Sequence, residues 1–243
     1  MGVSRFGFSL RAVVVAIGLS LVAAISQAST IFYYTDWTSD TLSSGGTNGS
    51  AAGTITTPQG TVNVSYSGDV VSATQINDSG TDYYTSWQSV YTNAIVSNSP
   101  TNVDVIALSE AYAYTDTLTF STAATNPILD IVSLGAVGVP VSYLFSATPV
   151  ILSQGSASFG GCSTCLSVSG NTLTGAEGDG VVEFVGTYTS ISWTTSGGEY
   201  WNGFTVGEAA SVGTPEPATW TGLLIISMLA IPFVRRHKTR LTA

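Results

Sequence analysis

The chain has 243 residues, 44% of them hydrophobic and only 9% charged, with a formal net charge of −9. Its charges are segregated: Arg5 and Arg11 lie near one end, Arg235, Arg236, Lys238 and Arg240 near the other, and all 15 acidic residues fall from Asp36 to Glu216. A stretch with 15 carboxylates and no Lys or Arg excludes nucleic acid as a partner, because no cation is there to neutralise phosphate.

The same asymmetry excludes salt bridges within that stretch. Its carboxylates have to be solvated, capped by backbone N–H groups or bound to metal cations, and their mutual repulsion makes the domain sensitive to salt.

In chain order, Arg5 and Arg11 are followed by an apolar run from Ala12 to Ile25 and the small-residue site Ser26-Gln27-Ala28. Basic, apolar and small-x-Ala segments in that order predict a secretory signal peptide, residues 1–28, cut between Ala28 and Ser29. The run is shorter than the roughly 20 residues that a membrane-spanning helix needs.

Residues 29–213 read as one all-β domain. Val62, Val64 and Tyr66 alternate in one segment, Leu118 and Phe120 in another, then Val141, Tyr143 and Phe145, then Ile191 and Trp193. Such period-two patterns predict half-buried strands. Ile128 to Leu134 and Val150 to Leu152 are apolar at both parities and predict central strands covered on both sides. Only Tyr83 to Ile95 has room for a short helix. Strands separated by Gly, Asn, Asp, Ser and Pro turns predict an antiparallel β-sandwich, jelly-roll-like, flanked by the signal helix and a C-terminal hydrophobic helix. The near-repeat of Tyr33-Tyr34-Thr35-Asp36-Trp37 as Tyr83-Tyr84-Thr85-Ser86-Trp87 is too short to establish an internal duplication.

The only cysteines, Cys162 and Cys165, form a lone C-x-x-C. A zinc site lacks its second half, since the single histidine, His237, lies in the C-terminal tail. Gly-rich flanks argue against a redox motif, and a local disulfide is the expectation. Serine or cysteine nucleophiles lack a histidine base in the body, and phosphoryl transfer lacks both a phosphate loop and a cation. Glycoside hydrolysis needs only two carboxylates, for which Glu110, Glu177, Glu183 and Glu199 are the candidates. A carbohydrate platform could form from Tyr200 and Trp201 beside Glu199 and Asn202, or from Tyr83, Tyr84 and Trp87. Calcium is the one cofactor to weigh, with oxygen ligands at Glu177 and Asp179 or at Asp78 and Asp82. Turn chemistry alone also places Asp, Asn and Gly in such loops.

Residues 214–243 hold three parts in order. Pro215-Glu216-Pro217 comes first, then an apolar stretch over about 218–234, then Arg235, Arg236, His237, Lys238 and Arg240. The apolar stretch suits a membrane helix, the basic cluster a cytoplasmic stop, and the two prolines an extended segment just outside. This arrangement resembles the PEP-CTERM sorting domain of exopolysaccharide-producing Gram-negative bacteria. The resemblance implies export, recognition at Pro215, Glu216 and Pro217 by an exosortase, removal of the helix and release to the cell surface or matrix. A permanent single-pass anchor uses the same parts without the motif. More faintly, Asn126–Gly135, Ser169–Gly175 and Trp201–Val206 resemble segments in the uncharacterised bodies of other proteins of that family, which brings no known activity.

The expectation is therefore a secreted, exosortase-processed, non-catalytic component of the cell surface or exopolysaccharide matrix, anchored in the membrane before processing. A carbohydrate-binding module and a carboxylate-dependent glycosidase are the alternatives.

Overall fold

The computed structural model describes residues 30–109, 112, 114–195 and 197–209. Ala28 and Ser29, the Pro215-Glu216-Pro217 motif, the C-terminal apolar run, the Arg235, Arg236, Lys238 and Arg240 cluster and Glu110 lie outside the described residues. So do both expected flanking helices. Among the described residues no helix is long and apolar enough to cross a membrane.

The described body is antiparallel β-structure. Its strands are β1 (Phe32–Thr41), β2 (Gly49–Thr57), β3 (Gly60–Gly68), β4 (Ile106–Leu108), β5 (Thr115–Thr125), β6 (Ile128–Leu134), β7 (Val141–Phe145), β8 (Pro149–Gly155), β9 (Leu166–Ser169), β10 (Thr172–Gly175), β11 (Gly178–Phe184), β12 (Thr187–Thr195) and β13 (Asn202–Ala209). A 3-10 turn, Thr85–Trp87, runs into a one-turn helix α1, Gln88–Tyr91, within the segment expected to hold a short helix.

The strands make one 13-stranded sheet in the order β8-β11-β6-β13-β1-β2-β3-β5-β12-β7-β10-β9, with β4 alongside β13. The expected two-sheet sandwich differs from this connectivity at β1. Its first residues, Phe32 to Tyr34, pair with β13, and Thr35 to Thr41 pair with β2, so one long strand joins the two walls. The far edges also approach: Leu166 N–H of β9 donates to Gln154 Oε1 of β8 at 2.9 Å. The sheet is thereby rolled into a nearly closed, barrel-like form.

Alternation predicts the inner face well. Val64, Tyr66, Leu118, Phe120, Val141, Tyr143, Phe145, Ile191 and Trp193 are all buried in one interior with Leu129, Ile131, Val182, Phe184, Phe204 and Val206 of the other wall. Ring contacts cross that interior, with Phe204 5.2 Å from Tyr66 and Phe145 4.9 Å from Phe184. A second apolar layer covers the outside of the β6–β11–β13 wall, where Phe32, Tyr84, Val90, Tyr91 and Val96 pack on Ile128, Val132 and Val181. That cover is why β6 is buried along its whole length, as its apolar run predicts. Val150 to Leu152 is a correction: β8 ends the sheet, Val150 is exposed, and Ile151 and Leu152 are half-buried. The two aromatic pentapeptides also differ, since the first lies in β1 and the second enters the 3-10 turn.

The carboxylates behave in a way that composition only partly anticipates. Asp69, Asp104, Asp116, Asp130 and Asp179 are buried in a body without Lys or Arg. Most are capped by N–H and O–H donors. Asp104 accepts from Trp37 N–H at 2.8 Å and Asp78 N–H at 2.9 Å. Asp116, on the inward parity of Leu118 and Phe120, accepts from Asp69 N–H at 2.9 Å and from the Tyr66 hydroxyl. Asp130 stands apart, fully buried with the Tyr34 hydroxyl as its one neighbouring donor and neither oxygen in good hydrogen-bond geometry, and burial raises its pKa well above the ordinary carboxylate range against that donor.

Candidate functional site

The site forms where four chain segments meet at one end of the barrel. At the C-terminal end of β6 the register against β11 slips, so that Leu134 faces Gly178 and Ile131 faces Gly180. The extra residue is accommodated at Ser133, whose φ of 57° is left-handed. This bulge resets the alternation: Leu134 rejoins the interior, and Ser133 turns toward the β10–β11 connection. There Ser133 N–H donates to Asp179 Oδ1 at 2.9 Å, and its hydroxyl donates to Glu177 Oε1. Glu177 is itself left-handed, with φ 66°. Two non-glycine residues in this costly conformation therefore share one hydrogen bond, a clustering typical of functional sites.

Glu199 enters from the β12–β13 connection. Its Oε2 accepts from Gly135 N–H at 2.7 Å and from the Asn202 amide at 3.0 Å. Gly135 has φ +71°, and a Cβ there would lie 2.2 Å from Gly175 O, so the backbone that holds Glu199 requires glycine. Burial is the main cause that raises Glu199 to about 7, the Glu177 charge adds to it, and the two donors oppose it. Asp179 is likewise raised to about 7, first by burial and then by the Glu177 charge, against the Ser133 N–H.

An aromatic wall stands beside these acids. Phe159 lies 5.0 Å from Trp201, and Tyr83 lies 5.2 Å from Trp201 and 5.9 Å from Phe159. Tyr200 is 98% exposed and Phe159 50%. Ser133, Ala136, Phe159, Glu177, Glu199, Tyr200 and Trp201 enclose a pocket of about 170 Å³. That is below the 300–1,000 Å³ of sites that swallow a small molecule, so the geometry is a ledge with a small recess.

Cys162 and Cys165 are joined in a disulfide within the loop that presents Phe159. In the same loop Gly161, φ +83°, passes so close to Glu177 O that a Cβ would approach it to 2.2 Å. Chain-entropy reasoning for so short a closed loop gives about 2 kcal/mol. Reduction, or the Cys162→Ser/Cys165→Ser pair, is expected to lower the melting temperature by roughly 5 °C. Calorimetry of the oxidised and reduced forms checks this, and equal midpoints would mean that the bridge does not constrain the loop.

No protein-family model matches the chain, and no curated protein or solved structure matches it.

Several sequence candidates converge here and others do not. Glu177, Asp179, Glu199, Tyr200 and Trp201 come together from separate stretches. Asn202 is fully buried, accepting from the Tyr143 hydroxyl and donating to Glu199, so it holds the carboxylate and faces no ligand. Tyr84 is fully buried and therefore no platform residue, and Glu183 sits toward the opposite end of β11. Asp82 closes the 3-10 turn through Tyr84 and Thr85 N–H, whereas Asp78 lines a separate groove with Asp36 and Asn102. Among the described residues no three Asp, Glu, His or Cys side chains gather as a metal-binding group. Sequence reasoning missed Phe159 and Ser133. Phe159 was visible only as a flank of the cysteines, and Ser133 looked like one polar interruption in an apolar run.

Proposed function

We propose that the protein is an exported, non-catalytic component of the cell surface or its exopolysaccharide matrix, and that it contacts glycan through the ledge formed by Phe159, Tyr200 and Trp201. The observation that carries this reading is an aromatic edge open to solvent beside fixed polar groups: Tyr200 is almost wholly exposed and Phe159 half so, next to Glu177 and Glu199. Aromatic faces offer flat apolar contact to the C–H face of a pyranose, and neutral or acidic oxygens accept from its hydroxyls. The small recess favours a surface-binding role over a catalytic cleft between two carboxylates.

Export is supported by the charge segregation and the Ser26-Gln27-Ala28 site, and exosortase processing by Pro215-Glu216-Pro217 ahead of an apolar run and a basic tail. On this reading the precursor is held in the membrane by residues about 218–234 until the helix is removed. The scaffold is a jelly-roll-like derivative of a sandwich, whose two walls meet over one core.

Two measurements test the proposal. Mass spectrometry of the protein from its host should find termini near Ser29 and around Pro215, and an intact Arg240 tail would mean a retained anchor. Co-sedimentation with the host's own polysaccharide should fall at least tenfold for Tyr200→Ala/Trp201→Ala, since stacking aromatics contribute the kilocalories typical of binding hot spots. Wild-type protein that stays in solution would remove the glycan reading.

A further inference from the structure

We infer that the recess between Glu177 and Glu199 takes the protonated amine of an amino sugar, so that the glycan bound on the aromatic ledge is one carrying free amino groups. This inference rests on the glycan-binding reading above and adds the ligand's charge to it.

Size gives the first argument. A volume of about 170 Å³ is that of roughly five or six liquid waters, too small for a buried sugar chain and ample for one substituent. The ring itself would stay outside on Tyr200 and Phe159, which are exposed.

Hydrogen-bond stoichiometry gives the second. A primary ammonium carries three donors and no acceptor. The recess presents Glu177, Glu199 and the Ser133 hydroxyl. Glu177 uses Oε1 for Ser133, and Glu199 uses Oε2 for Gly135 and Asn202. The second oxygen of each accepts no hydrogen bond among the described residues. Behind Glu177, on the same Ser133, Asp179 is fully buried with Oδ1 taking the Ser133 N–H and Oδ2 unpartnered. An ammonium in the recess would offset the Glu177 charge that acts on Glu199 and Asp179. A calcium ion fits less well, because no three carboxylates gather at metal-ligand separation among the described residues.

Charge gives the third. From Asp36 to Glu216 there is no Lys or Arg, so uronate-rich or sulfated glycans meet only like charge. A peptide amine could also satisfy the carboxylates and stack on the aromatic faces, so oligolysine serves as the control for that ligand.

The test is titration calorimetry of the protein isolated from its host, near neutral pH and at low salt, against equal-length oligomers of glucosamine, N-acetylglucosamine, glucose and a uronic acid, and against oligolysine. The glucosamine oligomer is expected to bind about tenfold or more tightly than the neutral ones, as charge-assisted hydrogen bonds warrant, and the uronate not at all. Glu177→Gln and Glu199→Gln should each abolish that preference by weakening the glucosamine oligomer far more than the neutral ones, and Asp40→Asn, outside the lining of the recess, should leave it intact. Equal affinity for amino and neutral oligomers overturns the inference and leaves the glycan-binding reading standing. No binding by any oligosaccharide overturns both. A preference for oligolysine, or an equal loss in Asp40→Asn, means diffuse attraction of cations and also overturns it. Release of reducing ends in the calorimeter cell would assign Glu177 and Glu199 to hydrolysis instead.

Discussion

Lowering the pH from 8 to 5 is expected to raise the melting temperature of the body by roughly 10–20 °C, the reverse of ordinary acid denaturation. Burial holds Asp116 near 6 and Asp179 near 7, and raises Asp130 well above the ordinary range, with no Lys or Arg among the described residues to compensate. In an unfolded chain the same groups ionise near 3.9. Since the folded values are the higher ones, the native state binds more protons over the interval between them. The stability these groups contribute is complete below about pH 4 and is lost as pH rises through about 6 to 7. A carboxyl near 6 instead of 3.9 corresponds to about 3 kcal/mol. Asp116 and Asp179 together then account for on the order of 5 kcal/mol, a large share of a domain's usual 5–15 kcal/mol. Repulsion among the remaining acids works in the same direction, so added salt should narrow the difference. Circular dichroism melts across this range check the effect. Asp116→Asn and Asp179→Asn should each flatten the profile by stabilising the protein at pH 8 far more than at pH 5. A midpoint that is flat or falls on acidification would show that the buried acids remain ionised throughout.

The parity of Val64 and Tyr66, of Leu118 and Phe120 and of Ile191 and Trp193 made the inner face legible, because a half-buried strand writes its environment at every second residue. The continuous apolar run of Ile128–Leu134 likewise marked a strand covered on both sides. The same signal misled at Val150–Leu152, since an apolar run cannot say whether a strand lies inside a sheet or closes it. Asp116 and Asp130 were not singled out within their apolar patterns, because whether such a residue turns outward or is buried depends on which donors the fold brings to it. The ledge was legible only in part, at Glu177, Glu199, Tyr200 and Trp201, and not as a place. Ser133, Phe159, Glu177 and Trp201 belong to four separate connections or strand ends, and only the rolled sheet with its bulge brings them together. The sorting segments are the opposite case, as their meaning lies in linear order alone.

Trp193→Ala is expected to destabilise the body by about 3–5 kcal/mol, whereas Trp193→Phe should cost less than half of that. Trp193 is the hub of the interior: its ring lies 5.8 Å from Tyr66 and Tyr143 and 5.4 Å from Phe145 and Phe204. Phe204 belongs to the facing wall, so alanine would open a cavity between walls that are otherwise joined through β1. Interiors pack too tightly to collapse fully around a missing indole. Phenylalanine keeps most of the ring contacts and removes the indole N–H, which is buried without a hydrogen-bond acceptor. Relief of an orphaned donor is worth about 1–3 kcal/mol and offsets much of the lost area. Denaturant titration of both variants at about pH 5, where the acids are protonated, separates this effect from the electrostatic one. A Trp193→Ala/Phe204→Ala double-mutant cycle should then return a coupling of about 0.5–1.5 kcal/mol across the interior. A coupling near zero would mean that the two walls do not share Trp193, and the barrel-like closure would have to rest on its edge contacts.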